Sequence, residues 1–406
     1  DAAPVLITKG EAARLPPFYL PEMDWAGCRL LERLHHSSRM DSCAVLLFAL
    51  PTDNPYNPPY PSRNHRSSHG VILSSKRILG MRVVLILLLT VAGWSLTAQA
   101  WAFGDLGHRT VGAIADAQLT SEARMAVASL LRSGETLATV ATWPDELKRA
   151  KKNLGPLAHD AEAQRFNEDF PDNREWHYVD LPLDTTVYTE GAIGSRVNDI
   201  VQTIQRCVRV IESQAIPPHE MTRAQALRWL VHLLGDLHQP LHLGSGYYRF
   251  DAQRQAHLIT DPQEAAGKAE DHGGTLLVTA AEEQLHAFWD DRLVNAVAKG
   301  RPYPEVAQDL LTQGHQPAWD GSGSYHEWVE QWAVESIRLG KSAYERLAFG
   351  AGQFGGESDR LQRIMVTLPP GYEQDQAKLV EQQLAKAGYR LAAILNALQF
   401  PAAASH

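Results

Sequence analysis

Residues Leu227–His242 read LRWLVHLLGDLHQPLH. They belong to a helix expected over 222–239, and Pro240 should end it because its ring cannot continue a helix. His232 and Asp236 are four residues apart, so both project from one helix face. His242 follows just past the stop. The same spacing returns in EEQLHAFWDDRL, where His286 and Asp290 form a second pair. Three more residues of the same chemistry lie upstream: His108 at the start of a helix, Asp145 in ATWPDELK and His177 in WHYVDLP.

Outward from this stretch the pattern stays helical. GHRTVGAIADAQL puts Val111, Ile114, Ala115 and Leu119 on one face. Thr120 or Ser121 should cap the next helix, and Gly134 should stop it. Further helices are expected over 195–213, 280–297, 326–348 and 374–398, with longer loops at 149–176 and 244–275. Strand alternation is scarce, apart from a possible extended piece at Leu276–Val278. Trp229, Trp289, Trp328 and Trp332 sit at helical spacing and read as core. The expectation is an all-α fold: one compact multi-helix domain over 103–406.

The segment Met81–Ala102, MRVVLILLLTVAGWSLTAQAWA, sets the compartment. A basic Arg82, an apolar run and small residues near the end give the layout of a secretory signal peptide, too short for a comfortable membrane span. Residues 1–80 then precede a signal that belongs at an N-terminus. We read them as a misassigned leader with Met81 the true start; a disordered leader is the other reading. Cleavage after Ala102 satisfies the A-x-A pattern and makes Phe103 the new terminus. Cleavage after Ala100 is the rival.

Of three cysteines, Cys28 and Cys43 lie in the leader, so Cys207 stands alone from Phe103 on. No internal disulfide is possible there, and the chain has no N-x-S/T sequon. Both features fit a bacterial periplasmic or extracellular protein. The full chain carries a net charge of −9, which argues against holding nucleic acid by a broad basic patch. If the substrate is a phosphodiester, bound metal has to supply the local positive charge.

Imidazole and carboxylate are natural zinc ligands, and residues four apart on a helix chelate one ion with little loss of backbone freedom. One such pair is commonplace on surfaces; two pairs with further His and Asp candidates are not. With these residues in place the chain resembles the zinc-dependent single-strand nucleases of the S1/P1 type, relatives of the bacterial zinc phospholipases C. The resemblance runs from FGDLGH to the C-terminal AKAGYRLAAILNALQ.

It implies a trinuclear zinc cluster at the base of a cleft in an all-α fold. The first zinc would be held by Asp145, His177, His232 and Asp236, and the second by His242, His286 and Asp290. The third would take His108, a bridging Asp236, and the amino group and carbonyl of Phe103. The family usually carries Trp where this chain has Phe103; because the ligand atoms are backbone atoms, Phe can serve. The resemblance further implies catalysis by a zinc-activated water that Asp145 helps orient, with Lys148 as a basic residue facing the phosphate. Products would be 5′-phosphorylated, with accompanying 3′-nucleotidase activity.

Base stacking is expected at Tyr178, and Tyr247, Tyr248 and Phe250 read either as a second platform or as ordinary loop packing. His238 reads as an outer-shell group orienting a carboxylate. His272 reads as part of a Gly-rich turn, and His159, His219, His257, His315 and His326 as surface or packing residues. Single-stranded nucleic acid and nucleotides are the expected substrates, handled by a secreted monomer without stable membrane association. A zinc phospholipase C is the alternative among hydrolases. A non-catalytic periplasmic zinc-binding protein is the alternative of another class.

Overall fold

The computed structural model describes residues 103–357 and 359–401. The leader, the signal segment with Met81 and Trp101, and the cysteines Cys28 and Cys43 lie outside them. Helices build the frame: α1 (Gly104–Gln118), α2 (Ser121–Leu130), α3 (Leu137–Val140), α4 (Trp143–Ala150), α5 (Ala161–Asp169), α6 (Ile200–Glu212), α7 (Arg223–Leu237), α8 (Leu285–Ala287), α9 (Val294–Ala298), α10 (Tyr303–Gln313), α11 (Tyr325–Tyr344) and α12 (Tyr372–Ala397). No described helix is long and apolar enough to cross a membrane.

The helix boundaries follow their caps. Thr222 accepts from Gln225 N, and the Gln225 side chain accepts from Thr222 N, a reciprocal box that starts α7. Asp199 accepts from Val201 N and Gln202 N and starts α6, five residues later than the hydrophobic pattern suggested. Thr120 caps α2 as expected, but that helix ends at Leu130 rather than at Gly134. Beyond it the Arg132 backbone N–H turns to the Glu135 carboxylate.

Helix α7 lies at the centre, with nearly every side chain from Ala226 to Leu237 buried. Helices α1, α6 and α12 pack around it. Close helix approaches are set by glycine. A Cβ on Gly112 would sit 2.7 Å from the Ala138 backbone, and one on Gly388 2.5 Å from Ile114. The expected core face of α1 is buried in full: Val111, Ile114 and Ala115 at 0% and Leu119 at 8% exposed.

The all-α expectation needs correction, because eight strands join the helical frame. Strands β1 (Leu181–Pro182) and β2 (Gly244–Ser245) pair in parallel. Strand β3 (Tyr247–Phe250) lies between β4 (Ala256–Leu258) and β5 (Ala269–Glu270). Strand β8 (Arg360–Thr367) lies between β6 (Leu277–Thr279) and the antiparallel β7 (Ala348–Gly355). The expected 244–275 loop therefore contains a small sheet, and the 149–176 loop contains α5. The helix expected over 280–297 is a broken one: a π-helical segment, Phe288–Leu293, separates α8 from α9.

Candidate metal centre

The residues singled out from the sequence converge. Helix α7 brings His232 and Asp236, and the 3₁₀ turn Pro240–His242 brings His242. Helix α1 supplies His108, α4 supplies Asp145, and the 3₁₀ turn Asn173–His177 ends on His177. His286 stands on α8, and Asp290 in the π segment, a distortion that recurs at functional sites. Three groups have ligand atoms within 4.8 Å of one another: His108, Asp145 and His232; His177, His232 and Asp236; His242, His286 and Asp290.

Asp236 is the hub. Its Oδ2 lies 2.9 Å from His177 Nδ1 and 3.2 Å from His232 Nε2, and its Oδ1 lies 3.3 Å from His108 Nε2. His108 and His232 stack at 3.8 Å between centroids. This approach depends on Gly235, where a Cβ would stand 2.7 Å from His108 Nδ1. His286 Nε2 reaches Asp290 Oδ2 at 3.2 Å.

Three imidazoles are oriented through the nitrogen remote from this centre. His232 Nδ1 donates to Ala141 O, His242 Nδ1 to His177 O and His286 Nδ1 to Gly273 O, each at 2.7 Å. That bond fixes the tautomer and leaves Nε2 as a lone-pair donor, as ligating histidines require. Gln239 does the same for a carboxylate, giving its Nε2–H to Asp290 Oδ1 at 2.8 Å.

What remains without a partner is informative. Both His108 nitrogens, His177 Nε2, His242 Nε2, Asp145 Oδ2, Asp236 Oδ1 and Asp290 Oδ2 are buried with no hydrogen bond. So many idle lone pairs in one place would be costly unless a cation used them. The residues fit a metal centre.

The electrostatics agree. Burial pulls His177 and His286 down to about 3 and also lowers His108 and His242, so these imidazoles are neutral at pH 7. Burial acts on His232 in the same sense, but Asp236 and Asp145 outweigh it and raise its pKa: the carboxylates call for positive charge at this point. Burial would raise Asp145, yet Lys148 and then His232 hold it at about 2. Burial drives Asp290 well above the carboxylate range, with no cation beside it to offset the cost.

Around the centre, Lys148 Nζ pairs with Asp145 Oδ1 at 2.8 Å, its side chain 30% exposed. Tyr178 is half-buried, with the Arg196 guanidinium 5.0 Å from its ring centroid. Phe103 is fully buried, and its carbonyl accepts from Gly107 N at 2.9 Å to open α1. The backbone beside it packs on the Asp290–Asp291 segment, where a Cβ on Gly104 would lie 3.4 Å from Asp290 O.

Two expectations are overturned. Tyr247 and Tyr248 are only 5% and 1% exposed, so neither offers a face to a base. Their hydroxyls are spent on Asp180 O and Asp271 Oδ2, both at 2.7 Å, which draws the rings inward. Phe250 packs edge-on against Phe354. His238, two residues from Asp236, turns away from the centre and binds Leu234 O and Arg390. The outer-shell role expected of it falls to Gln239, which the sequence reading missed. Only its position between the HxxxD pair and the proline stop hinted at it.

A fourth group, Asp180, Glu270 and His272, also gathers within 4.8 Å. Both Asp180 oxygens are already taken, by Arg196 at 2.8 Å and Ser245 at 2.9 Å. The Arg196 cation offsets the Asp180 carboxylate. His159, His219, His257, His315 and His326 are exposed.

Fold and site together define a helical protein with a buried, histidine- and carboxylate-rich centre able to hold more than one metal ion. A family model described as S1/P1 Nuclease matches residues 103–399, and the chain belongs to that family. It is 29% identical to Endonuclease 3 of Arabidopsis thaliana over 333 residues, covering 78% of this chain and 95% of the relative. Nuclease S1 of Aspergillus oryzae is 26% identical over 324 residues (77% and 96%). Nuclease P1 of Penicillium citrinum is 25% identical over 315 residues (72% and 97%). The chain is thus an enzyme, a nuclease that hydrolyses phosphodiester bonds.

Proposed function

We propose that this nuclease is a secreted zinc enzyme that cuts single-stranded DNA and RNA internally, leaving 5′-phosphates and also removing 3′-phosphates from nucleotides. The observation that carries the reading is the set of idle lone pairs around Asp236. It asks for several cations, and N/O ligands of this kind suit zinc. Asp145, His177, His232 and Asp236 would hold one ion, and His242, His286 and Asp290 a second. A third would take His108, Asp236 and the backbone of Phe103. Zinc bound there would supply Lewis-acid charge and make water acidic enough to attack near neutral pH.

The chain's own groups do the rest. Asp145, whose Oδ1 is fixed by Lys148, would also help to orient the attacking water while holding its ion. Lys148 needs only one of its three donors for Asp145, leaving the others for a phosphate oxygen. Tyr178, steadied by Arg196, offers the aromatic surface for a base. Stacking of this kind works on unpaired bases, which is what selects single strands. The acidic surface would repel the denser charge of a duplex.

Processing completes the site, because only cleavage after Ala102 gives Phe103 a free amine. We therefore assign residues 81–102 to a signal peptide, 103–406 to the nuclease domain and 1–80 to a leader that is not part of the working enzyme.

The test uses protein processed to begin at Phe103. Zinc content by atomic emission should approach three per chain, and cleavage of circular single-stranded DNA should stop on chelation. Metal-free protein that still cut the circle would refute the reading. Zinc-loaded protein that ignored DNA but hydrolysed phosphatidylcholine would move it to the phospholipases.

A further inference from the structure

The chain is acidic, with a net charge of −9, yet one stretch beside the metal centre is basic throughout. From Lys148 to Gly155 it reads KRAKKNLG, four cations and no carboxylate. The run is the end of α4, the helix that supplies Asp145, and the turn that follows it.

The four cations have different fates. Lys148 pairs with Asp145 and faces the centre. Arg149 is committed to Glu146 at 3.2 Å. Lys151 Nζ donates to Pro171 O at 2.7 Å and to Asn173 Oδ1 at 3.4 Å, tying the end of α4 to the turn that carries His177. Asn173 is fully buried and gives Nδ2 to Asn167 Oδ1 and Phe170 O, while Asn167 gives its Nδ2 to Leu147 O. Helices α4 and α5 and the 3₁₀ turn Asn173–His177 are thereby stitched together. Lys152 is left over: it is exposed, and its side chain makes neither a hydrogen bond nor an ion pair.

The turn contributes a second cation of this kind. Arg174 follows Asn173, is exposed and is likewise unpaired. Burial raises the Tyr178 hydroxyl, and the Arg196 and Arg174 charges both pull against it, so Arg174 stands close to the proposed stacking ring. Of the two acids in the turn, Asp172 acts on Lys151 and Glu175 on Arg196. Lys152 lies about one helical turn beyond Lys148, and Arg174 one 3₁₀ turn before His177. Two tied elements therefore each carry one unpaired cation a step outward from the centre.

We propose that Lys152 and Arg174 form a short phosphate track, on which the backbone of a single strand continues past the scissile bond. The proposal rests on reading the chain as a single-strand nuclease, and adds where the strand runs beyond Lys148 and Tyr178. Contacts of this kind position the strand and add affinity without reading sequence. The Lys151 tether keeps the track next to the centre, so a polyanion held there meets these cations first. An anionic membrane would need a cluster of several basic residues, which two unpaired cations on an acidic protein do not make.

The test uses the zinc-loaded enzyme beginning at Phe103, with Lys152→Ala, Arg174→Ala, the double variant and Lys378→Ala. Lys378 is an exposed lysine on α12, outside the basic run, and serves as the control. KM for a long single strand is measured against salt concentration, beside a dinucleotide. The slope of log KM against log salt should fall by about 0.7 for each cation removed. Arg174→Lys should keep the wild-type slope, because a phosphate track reads charge. Both constants for the dinucleotide stay unchanged, since that substrate ends at the scissile phosphate. A double variant with the salt slope of Lys378→Ala would overturn the proposal. So would lost binding to phosphatidylglycerol vesicles with the strand slope intact, which would give the two cations to a membrane. Anisotropy of a labelled phosphorothioate strand reads binding apart from cleavage. An enzyme that bound this strand with the expected slopes but cut no DNA would refute the nuclease reading and leave the track standing.

Discussion

Two buried polar regions meet at the turn Asp271–Gly274. On one side Gly273 O accepts from His286, the edge of the metal centre. On the other, Asp271 takes Gly246 N, Gly274 N and Tyr344 OH on Oδ1, and Tyr248 OH on Oδ2. Both regions bury carboxylates completely. Around Asp271 the protein provides every partner itself. Around Asp236 and Asp290 it leaves lone pairs open. Burial alone therefore does not mark a functional carboxylate; what separates the two regions is whether neutral protein donors close the shell.

The sharpest way to break this contrast is Asp236→Asn. The substitution keeps the shape but removes the charge that three imidazoles approach. Loss of activity should exceed the roughly 100-fold that removal of an outer-shell partner can cost, with the zinc content lowered and the helical circular dichroism retained. An active, zinc-replete variant would show that the centre does not depend on its hub.

The self-sufficient side predicts a pH effect of opposite character. Burial lifts Asp271 to about 6 against its four donors, while the unfolded carboxyl titrates near 3.9. The folded state therefore holds the proton more tightly. This group's contribution to stability is complete below about pH 4 and is lost as pH rises through about 6. Asp271→Asn cannot ionise, so relative to wild type it should gain up to about 3 kcal/mol between pH 4 and pH 7. Urea unfolding at the two pH values measures the change, and groups shared by both proteins cancel. A difference independent of pH would show that the four donors offset burial in full.

Gln239 lies at the margin of the metal side, and Gln239→Ala should weaken zinc binding about 10- to 100-fold. A competitive zinc titration reads this directly. An unchanged affinity would mean that Asp290 is held by the fold without its amide partner.

Much of the converging His and Asp cluster was legible because its signal is local. An i,i+4 pair such as His232 and Asp236 needs only a helix to bring it together, and the capped, proline-stopped α7 is written in adjacent residues. The small sheets were not legible. In β8 only Ile364 and Val366 are buried, too short an alternation to stand out, and its partner β7 is rich in glycine. The broken helix at Phe288–Leu293 reads as ordinary helix in the sequence. The fate of the tyrosines was hidden for a different reason. Tyr178, Tyr247 and Tyr248 all look like aromatic residues near a site, and only distant partners such as Asp271 and Asp180 decide which of them is pulled inside.

That last distinction carries the smallest expected effect. Tyr247 gives its hydroxyl to Asp180 O and shows no face to solvent, so Tyr247→Phe should remove one buried hydrogen bond and nothing else. The expected cost is about 1 kcal/mol in urea unfolding, with KM for single-stranded DNA unchanged. Tyr178→Ala removes a half-exposed ring, and stacking losses of about 1–3 kcal/mol per base should raise that KM several-fold or more, with little change in stability. If Tyr247→Phe raised KM as Tyr178→Ala does, the inner tyrosines would be communicating with the substrate through Asp180. The line between structural and binding aromatics would then have to be drawn one layer deeper.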